Sequence, residues 1–403
     1  MNYKNIVGLL MLMLSHAVYT TGTVTNEDAL RSAASTRISG TAIQNALCEM
    51  LSTLEDMKRT DDLCKATVIT QAQVLSESGI YCLGNDVTGT IFIAGSGITL
   101  NLNGYTIFAG SDGIAVSDTA SDVRIKNGFI QGTSVDRLSE DRGIFISGAR
   151  DVRIADVTCQ NWAIGIYFVD ATAGTLDRVV CDRNRVGFLC EQSLGLVIRN
   201  SVFSDNVLRG AQSSSCSSVE FINCSAFHSS GADSEVIGFS SNGATIVYRD
   251  CTAFNLGLGF IVDFGRGDFF NCVSNGNIIG FEVDGDAATV NNCVAQDNIG
   301  SGFFSVPDQG EVVFRNCLAK GNGIGFGEVG AITDDIKNMY LNCIACNNGT
   351  NYSSNIIASN HAPVTSAANA RGFDNVDCSN MTPDLLAAAI QLLVGTVPTD
   401  FIP

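Results

Sequence analysis

The stretch Asn271-Cys272-Val273-Ser274, with Gly280-Phe281-Glu282-Val283-Asp284 a few residues on, decides the fold because both halves return along the chain. The first half comes back as Asn223-Cys224-Ser225-Ala226, Asp250-Cys251-Thr252-Ala253, Asn292-Cys293-Val294-Ala295, Asn316-Cys317-Leu318-Ala319 and Asn342-Cys343-Ile344-Ala345. In earlier copies Ser201, Val179 and Val157 fill the Cys position. The second half returns as Gly165-Ile166, Gly187-Phe188, Gly210-Ala211, Gly238-Phe239, Gly259-Phe260, Gly302-Phe303 and Gly325-Phe326. Two landmarks drifting in step at about 22 residues mark stacked supersecondary units. Short alternating strands without a helical period inside the unit predict three strands per coil. The expected fold is therefore all-β, a single-stranded parallel β-helix over residues 63–350. The general hand of parallel crossovers makes it right-handed. A leucine-rich solenoid is excluded, since its leucine and asparagine consensus is absent.

Stacked coils repeat at about 4.8 Å, so equivalent positions form ladders. Asn suits a tight corner because it tolerates the left-handed backbone and bonds locally. The Cys, Ala and Phe positions alternate with polar ones and should face inward. The cysteines are spaced too widely for a zinc site and are expected to behave as small buried hydrophobes. Cys343-x-x-Cys346 has the letters of a redox or metal motif, yet one member occupies the core position. Cys64 and Cys82 are candidates for a bridge near the start of the helix, although sequence alone fixes no pairing.

The two ends read differently. Residues 1–20 resemble a secretory signal: Lys4 leads an apolar run over residues 6–14, and Ser15-His16-Ala17 offers a small-residue cleavage region. An uncleaved anchor is the alternative. No later apolar stretch is long enough to span a bilayer, so no transmembrane span is expected in the mature chain. Residues 21–62 are expected as an N-terminal helical cap. Thr41 and Gln44 form a capping box there, and Ile43, Leu47, Met50, Leu54 and Met57 make one apolar stripe. A partner-binding helix is the other reading of that stripe. Residues 351–403 form a polar tail, then a capping helix opening at Thr382-Pro383-Asp384 and stopping at Gly395. Caps are expected because an open stack of coils exposes sheet edges. The formal charge of −18 repels nucleic acid and anionic lipid.

The first coils, Ser78-Gly79-Ile80-Tyr81-Cys82-Leu83 through Asp122-Val123-Arg124-Ile125-Lys126-Asn127-Gly128, and the later Asn-Cys-x-Ala coils resemble exported bacterial right-handed β-helix repeat proteins. These belong to the broad pectin-lyase-like superfamily. The resemblance covers residues 65–350 and implies the fold together with an exported location: periplasmic, cell-surface or extracellular. Its members include lyases, hydrolases, epimerases, tailspikes and adhesins, so it implies no single activity. Arg124-Ile125-Lys126 matches the Arg-Ile-Lys motif of polygalacturonases, but their Asn-Thr-Asp and Gly-His-Gly motifs are missing. The Trp-Ile-Asp-His element of pectate lyases is missing too, since the single Trp162 stands in Gln160-Asn161-Trp162-Ala163.

With Gly-Phe as register, residues two and four after each Gly should point outward. That places Tyr167, Glu191, Asp263, Glu282, Asp284 and Phe304 on one long face. Asp263 and Asp284 should neighbour each other in one ladder, with Glu282 diagonal to both and Phe304 one coil on. Like charges opposite one another are destabilising, so the cluster invites a chemical reading. Asp263, Glu282 and Asp284 are the candidate catalytic carboxylates for a sugar bond. Phe304, Tyr167 and Glu191 are the candidate substrate-binding residues. Asp263 and Asp284 are candidate Ca²⁺ ligands, and no other cofactor is expected. A solvated acidic face is the plain alternative. The functional expectation is a secreted or surface-exposed β-helix acting as a structural, adhesive or glycan-contacting module, with a glycan or a host or cell-surface component as partner. The rival is a polysaccharide lyase or glycoside hydrolase working on the carboxylate face.

Overall fold

The computed structural model describes residues 66–133, 140–284, 287–306, 311–328, 338–353 and 376–377. They form a right-handed parallel solenoid of about 11 turns with about 23 residues per turn. The expected signal, the N-terminal cap and the C-terminal helix all lie outside the described residues. Among the described residues no helix is long and apolar enough to cross a membrane.

Each coil contributes one strand to each of three parallel sheets. In one coil these are Ile279–Asp284 (sheet 1), Ala287–Asn291 (sheet 2) and Val294–Gln296 (sheet 3). Each pairs with its counterpart in the next coil: Phe281 with Phe303, Thr289 with Val313, Ala295 with Ala319. Register is kept because slipping one residue would turn the whole inward set to solvent. Sheet 3 continues past the expected end of the helix at residue 350. Val376–Asp377 pairs with Ile344 and Ala345 and adds a further rung. Two residues of the segment expected as a polar tail thus pair with the sheet.

The corner between sheets 2 and 3 needs a left-handed residue. Asn223, Asp250, Asn271, Asn292, Asn316 and Asn342 supply it, with φ between 51° and 55°. Asn and Asp tolerate this region through local side-chain bonding. Directly after each comes the Cys position, and Cys224, Cys251, Cys272, Cys293, Cys317 and Cys343 are all buried. Burial pushes the Cys251 and Cys272 thiols well up, so they remain protonated and unreactive. Of the Cys64–Cys82 pair, Cys64 lies outside the described residues and Cys82 is buried.

A second Asn ladder occupies the corner between sheets 3 and 1. Asn277 accepts from the Leu256 amide at 2.8 Å and donates to the Ala253 carbonyl at 3.0 Å. Asn298 accepts from the Asn277 amide, and Asn322 from the Asn298 amide, each at 3.0 Å. Each of these Asn side chains thereby satisfies buried backbone of the rung before it. The backbone carbonyl one rung on leaves no room for a side chain at the Gly of each Gly-Phe pair, and at most rungs an Asn side chain adds to the crowding. A Cβ on Gly280 would stand 2.4 Å from the Gly302 carbonyl oxygen and 3.0 Å from the Asn298 side-chain nitrogen Nδ2.

The inward Phe rings stack at the strand repeat: Phe260 on Phe281 at 4.8 Å, Phe281 on Phe303 at 4.9 Å, Phe303 on Phe326 at 5.0 Å. A second file from sheet 2 meets them edge-on, as Phe269 does Phe281 at 88°. Edge-to-face contact between files is the favoured aromatic geometry, so it offsets the parallel stacking that the register imposes. Phe281→Ala should cost about 3–5 kcal/mol in urea unfolding, the range for deleting a buried ring. Ile299→Ala, at a position 70% exposed, should change stability by no more than about 0.5 kcal/mol. Equal costs at the two positions would contradict this packing.

Candidate functional site

The outer face of sheet 1 carries the residues that the Gly-Phe register singles out. Along it Tyr167 pairs with Leu189, Glu191 with Ser214, Asn242 with Asp263, and Ile261 with Glu282. Asp263 stands opposite Asp284, and Glu282 opposite Phe304, as the spacing requires. The six candidate residues therefore share one face, but they fall into two groups. Leu189, Gln212 and Ser240 separate them.

The group nearer the N-terminus is an aromatic platform. Phe145 and Tyr167 lie on adjacent rungs with ring centroids 5.6 Å apart. Arg142 covers Phe145, its guanidinium carbon 3.6 Å from the ring centroid. Asp112 holds that guanidinium by two bonds, from Nε at 2.8 Å and from Nη2 at 3.0 Å. At the other end the Tyr167 hydroxyl donates to the Glu191 carboxylate. Burial, reinforced by that bond and by the Glu191 charge, pushes the Tyr167 phenol far above its ordinary range. Both rings are thus fixed before any ligand arrives, since bidentate and charge-assisted bonds are the strong ones. Sequence pointed to Tyr167 and Glu191 but missed Arg142, Phe145 and Asp112. The signal available was Phe145 standing two residues after Gly143, one coil before Tyr167.

The second group is carboxylate-rich. Partial burial, then the Asp284 charge, raises the Asp263 carboxyl, and Arg209 offsets part of the rise. Burial, then the charges of Asp263 and Asp284, raises Glu282 as well. Phe264 follows Asp263 in the left-handed region at φ 50° and is 52% exposed. Other coils place Asp170, Gln192, Ser215 or Gly243 at this corner. An exposed aromatic there is locally unfavourable.

Asp263 and Asp284 bring at most four of the oxygens that a Ca²⁺ site takes. That ion takes six to eight oxygens, and among the described residues no three acidic, His or Cys side chains are arranged to hold a metal. The expectation of Asp263 and Asp284 as Ca²⁺ ligands therefore gains no support. Two other motif residues are structural. Ile125, the centre of Arg124-Ile125-Lys126, is buried in the strand Ser121–Gly132, and Arg124 pairs with Asp122 at 3.4 Å. Trp162 is fully buried and donates its indole N–H to the Ile130 carbonyl at 3.1 Å.

Residues 78–250 match the family model of the right handed beta helix region. No curated protein matches the sequence. Among solved structures, the catalytic domain of a GH87 alpha-1,3-glucanase aligns with TM-score 0.43 and 12% identity over 66% of this chain and 66% of that one. Pectate lyase Pel9A aligns with TM-score 0.40 and 15% identity over 79% and 71%. The A-module of the Azotobacter vinelandii mannuronan C-5 epimerase gives TM-score 0.44 and 16% identity over 68% and 85%. Likenesses at this level carry neither reaction nor residues over to this chain.

The raised carboxyls set a pH dependence. Their folded values lie above their unfolded ones, so the folded chain holds these protons more tightly and loses stability as pH climbs through that window. Asp263→Asn and Glu282→Gln should each raise the thermal midpoint at pH 7. The gain should vanish below about pH 4, where the unfolded carboxyls are protonated too. A gain independent of pH, or a loss at pH 7, would contradict the assignment.

Proposed function

We propose that this protein is an exported or surface-exposed β-helix whose sheet 1 outer face contacts glycans, serving as a structural or adhesive module. The observation that carries the reading is the aromatic platform: two outward rings on adjacent rungs, 5.6 Å apart and clamped by Asp112, Arg142 and Glu191. Arg142 and the neighbouring ring occupy the faces of Phe145, so the pair offers apolar ring edges beside the hydrogen-bonding groups of Arg142 and Glu191, the mixture that the C–H and O–H groups of a sugar call for. Pre-fixing the rings removes the ordering cost that weakens binding by mobile side chains. Export is supported by Cys346, which is disulfide-bonded, since such bonds persist in oxidising compartments. The negative surface disfavours nucleic acid as the partner.

A second reading rests on Asp263, Glu282 and Asp284. A carboxyl raised by burial beside an ionised neighbour is how glycoside-cleaving sites hold a proton near neutral pH. On this reading Glu282 donates to the departing oxygen, and Asp263 or Asp284 stabilises or attacks the sugar carbon. The two readings separate experimentally. On a glycan array, Phe145→Ala and Tyr167→Ala should each weaken binding about tenfold, corresponding to about 1.4 kcal/mol. Glu282→Gln should leave binding intact. Turnover of any polysaccharide that is abolished by Glu282→Gln would put the catalytic reading first. Full binding by both aromatic variants would remove the platform.

A further inference from the structure

Two sulfurs inside the solenoid lie closer together than the spacing of its coils requires. Cys190, the last inward residue of its sheet 1 strand, pairs with Ser213 of the next coil. Cys216 stands just past the corner of that next coil, directly before Ser217, which opens its sheet 2 strand opposite Leu194. Left-handed residues turn both corners, Gln192 at φ 49° and Ser215 at φ 52°. The turn aims the end of sheet 1 and the start of sheet 2 at each other, so the two side chains converge diagonally across adjacent coils. Their sulfurs are 3.3 Å apart, and the residues are 0% and 2% exposed. The inward file around Cys190 continues with the small Ser213 and Ser241, where the flanking coils place Phe168 and Val262. The Cys190 thiol beside it, helped by the Ser193 and Ser214 backbone, holds the Cys216 thiol below its ordinary range despite burial. Burial and the Cys216 contact push Cys190 up. The pair therefore has one thiol suited to attack and one suited to wait, unlike the Cys251 and Cys272 thiols, which burial keeps protonated.

We propose that Cys190 and Cys216 are joined by a disulfide in the exported protein, a covalent tie between two consecutive coils at the edge of the sheet 1 face. A disulfide holds its sulfurs at about 2.0 Å, so rotation within the two side chains closes the gap. The bond forms by exchange with a donor disulfide of the exporting compartment. The Cys216 thiolate attacks the donor and releases one donor thiol. Cys190 then loses its proton, attacks the mixed disulfide and releases the second. Two electrons and two protons pass from the chain to the donor, and one S–S bond remains. Both sulfurs are enclosed in the folded chain, so the exchange precedes the closing of these coils, and the finished bond is out of reach of a reductant until the chain unfolds. The tie holds the strand end that carries Glu191, whose carboxylate fixes Tyr167. It rests on the export reading for where it forms, and stands whatever the outer face of sheet 1 binds.

The test supplies the oxidising compartment, so that its failure is separate from a failure of the export reading. The full chain is secreted through such a compartment of an expression host, unfolded in denaturant without reductant, alkylated and mapped. The expected product is one linked peptide pair containing Cys190 and Cys216, with Cys251, Cys272 and Cys293 alkylated. Alkylation of both Cys190 and Cys216, or a link from either to another cysteine, overturns the proposal. A second measurement is urea unfolding, without reductant, of Cys190→Ser, Cys216→Ser and the double variant. Each single change should lower the midpoint, and the double variant should fall no further than the weaker single one, because either change removes the whole bond. Losses that add in the double variant overturn it as well.

Discussion

Everything in this molecule depends on the register between successive coils. Parallel pairing at about 4.8 Å places each residue over its equivalent one turn away, so the environment of a side chain is largely made of copies of itself. Rings stack on rings, thiols lie over thiols, and Asn amides bond to the backbone of the rung behind. A residue unable to tolerate its own kind as a neighbour cannot be repeated. The Gly of the Gly-Phe pair follows from the same rule, because the Asn298 side-chain amide and the Gly302 carbonyl leave no room for a Cβ at Gly280.

The same register acts in the opposite sense outside. On the outer face of sheet 1 it sets Asp263 against Asp284, where partial burial and then repulsion favour the protonated form of Asp263. Inside, repetition is stabilising because apolar rings and neutral amides attract. Outside, repetition of charge is costly, and the exceptions to it are where a ligand can be recognised. The Phe145–Tyr167 pair is the constructive version of this effect. Adjacent rungs bring two rings together, and the long side chains of Arg142 and Glu191 reach along the face to fix them.

Much of this was legible in the sequence, because a one-dimensional repeat turns spacing into contact. Aligning Gly259-Phe260 with Gly280-Phe281 is enough to put Asp263 beside Asp284 and Glu282 beside Phe304. The Asn before each Cys was readable as a left-handed corner for a similar reason. The buried Asn277–Asn298–Asn322 ladder was not, since its role is set by backbone groups on the preceding coil that no local pattern encodes. Nor was the clamp on Arg142, which depends on Asp112 a full coil earlier in an irregular part of the repeat. The rung at Val376–Asp377 escaped because two residues are too few to carry a period. Residue type settled chemistry less well than position. Arg124-Ile125-Lys126 has an enzymatic spelling, and its place in a strand gives Ile125 to the core.

The central claim is that equivalent positions stack with sulfur and phenyl rings enclosed, and alkylation kinetics of Cys251, Cys272 and Cys293 in the native protein test it most directly. Enclosed thiols should resist iodoacetamide under native conditions and all react together once the chain is unfolded in denaturant. Native labelling of any of the three at the rate of a free thiol in solution would contradict the account.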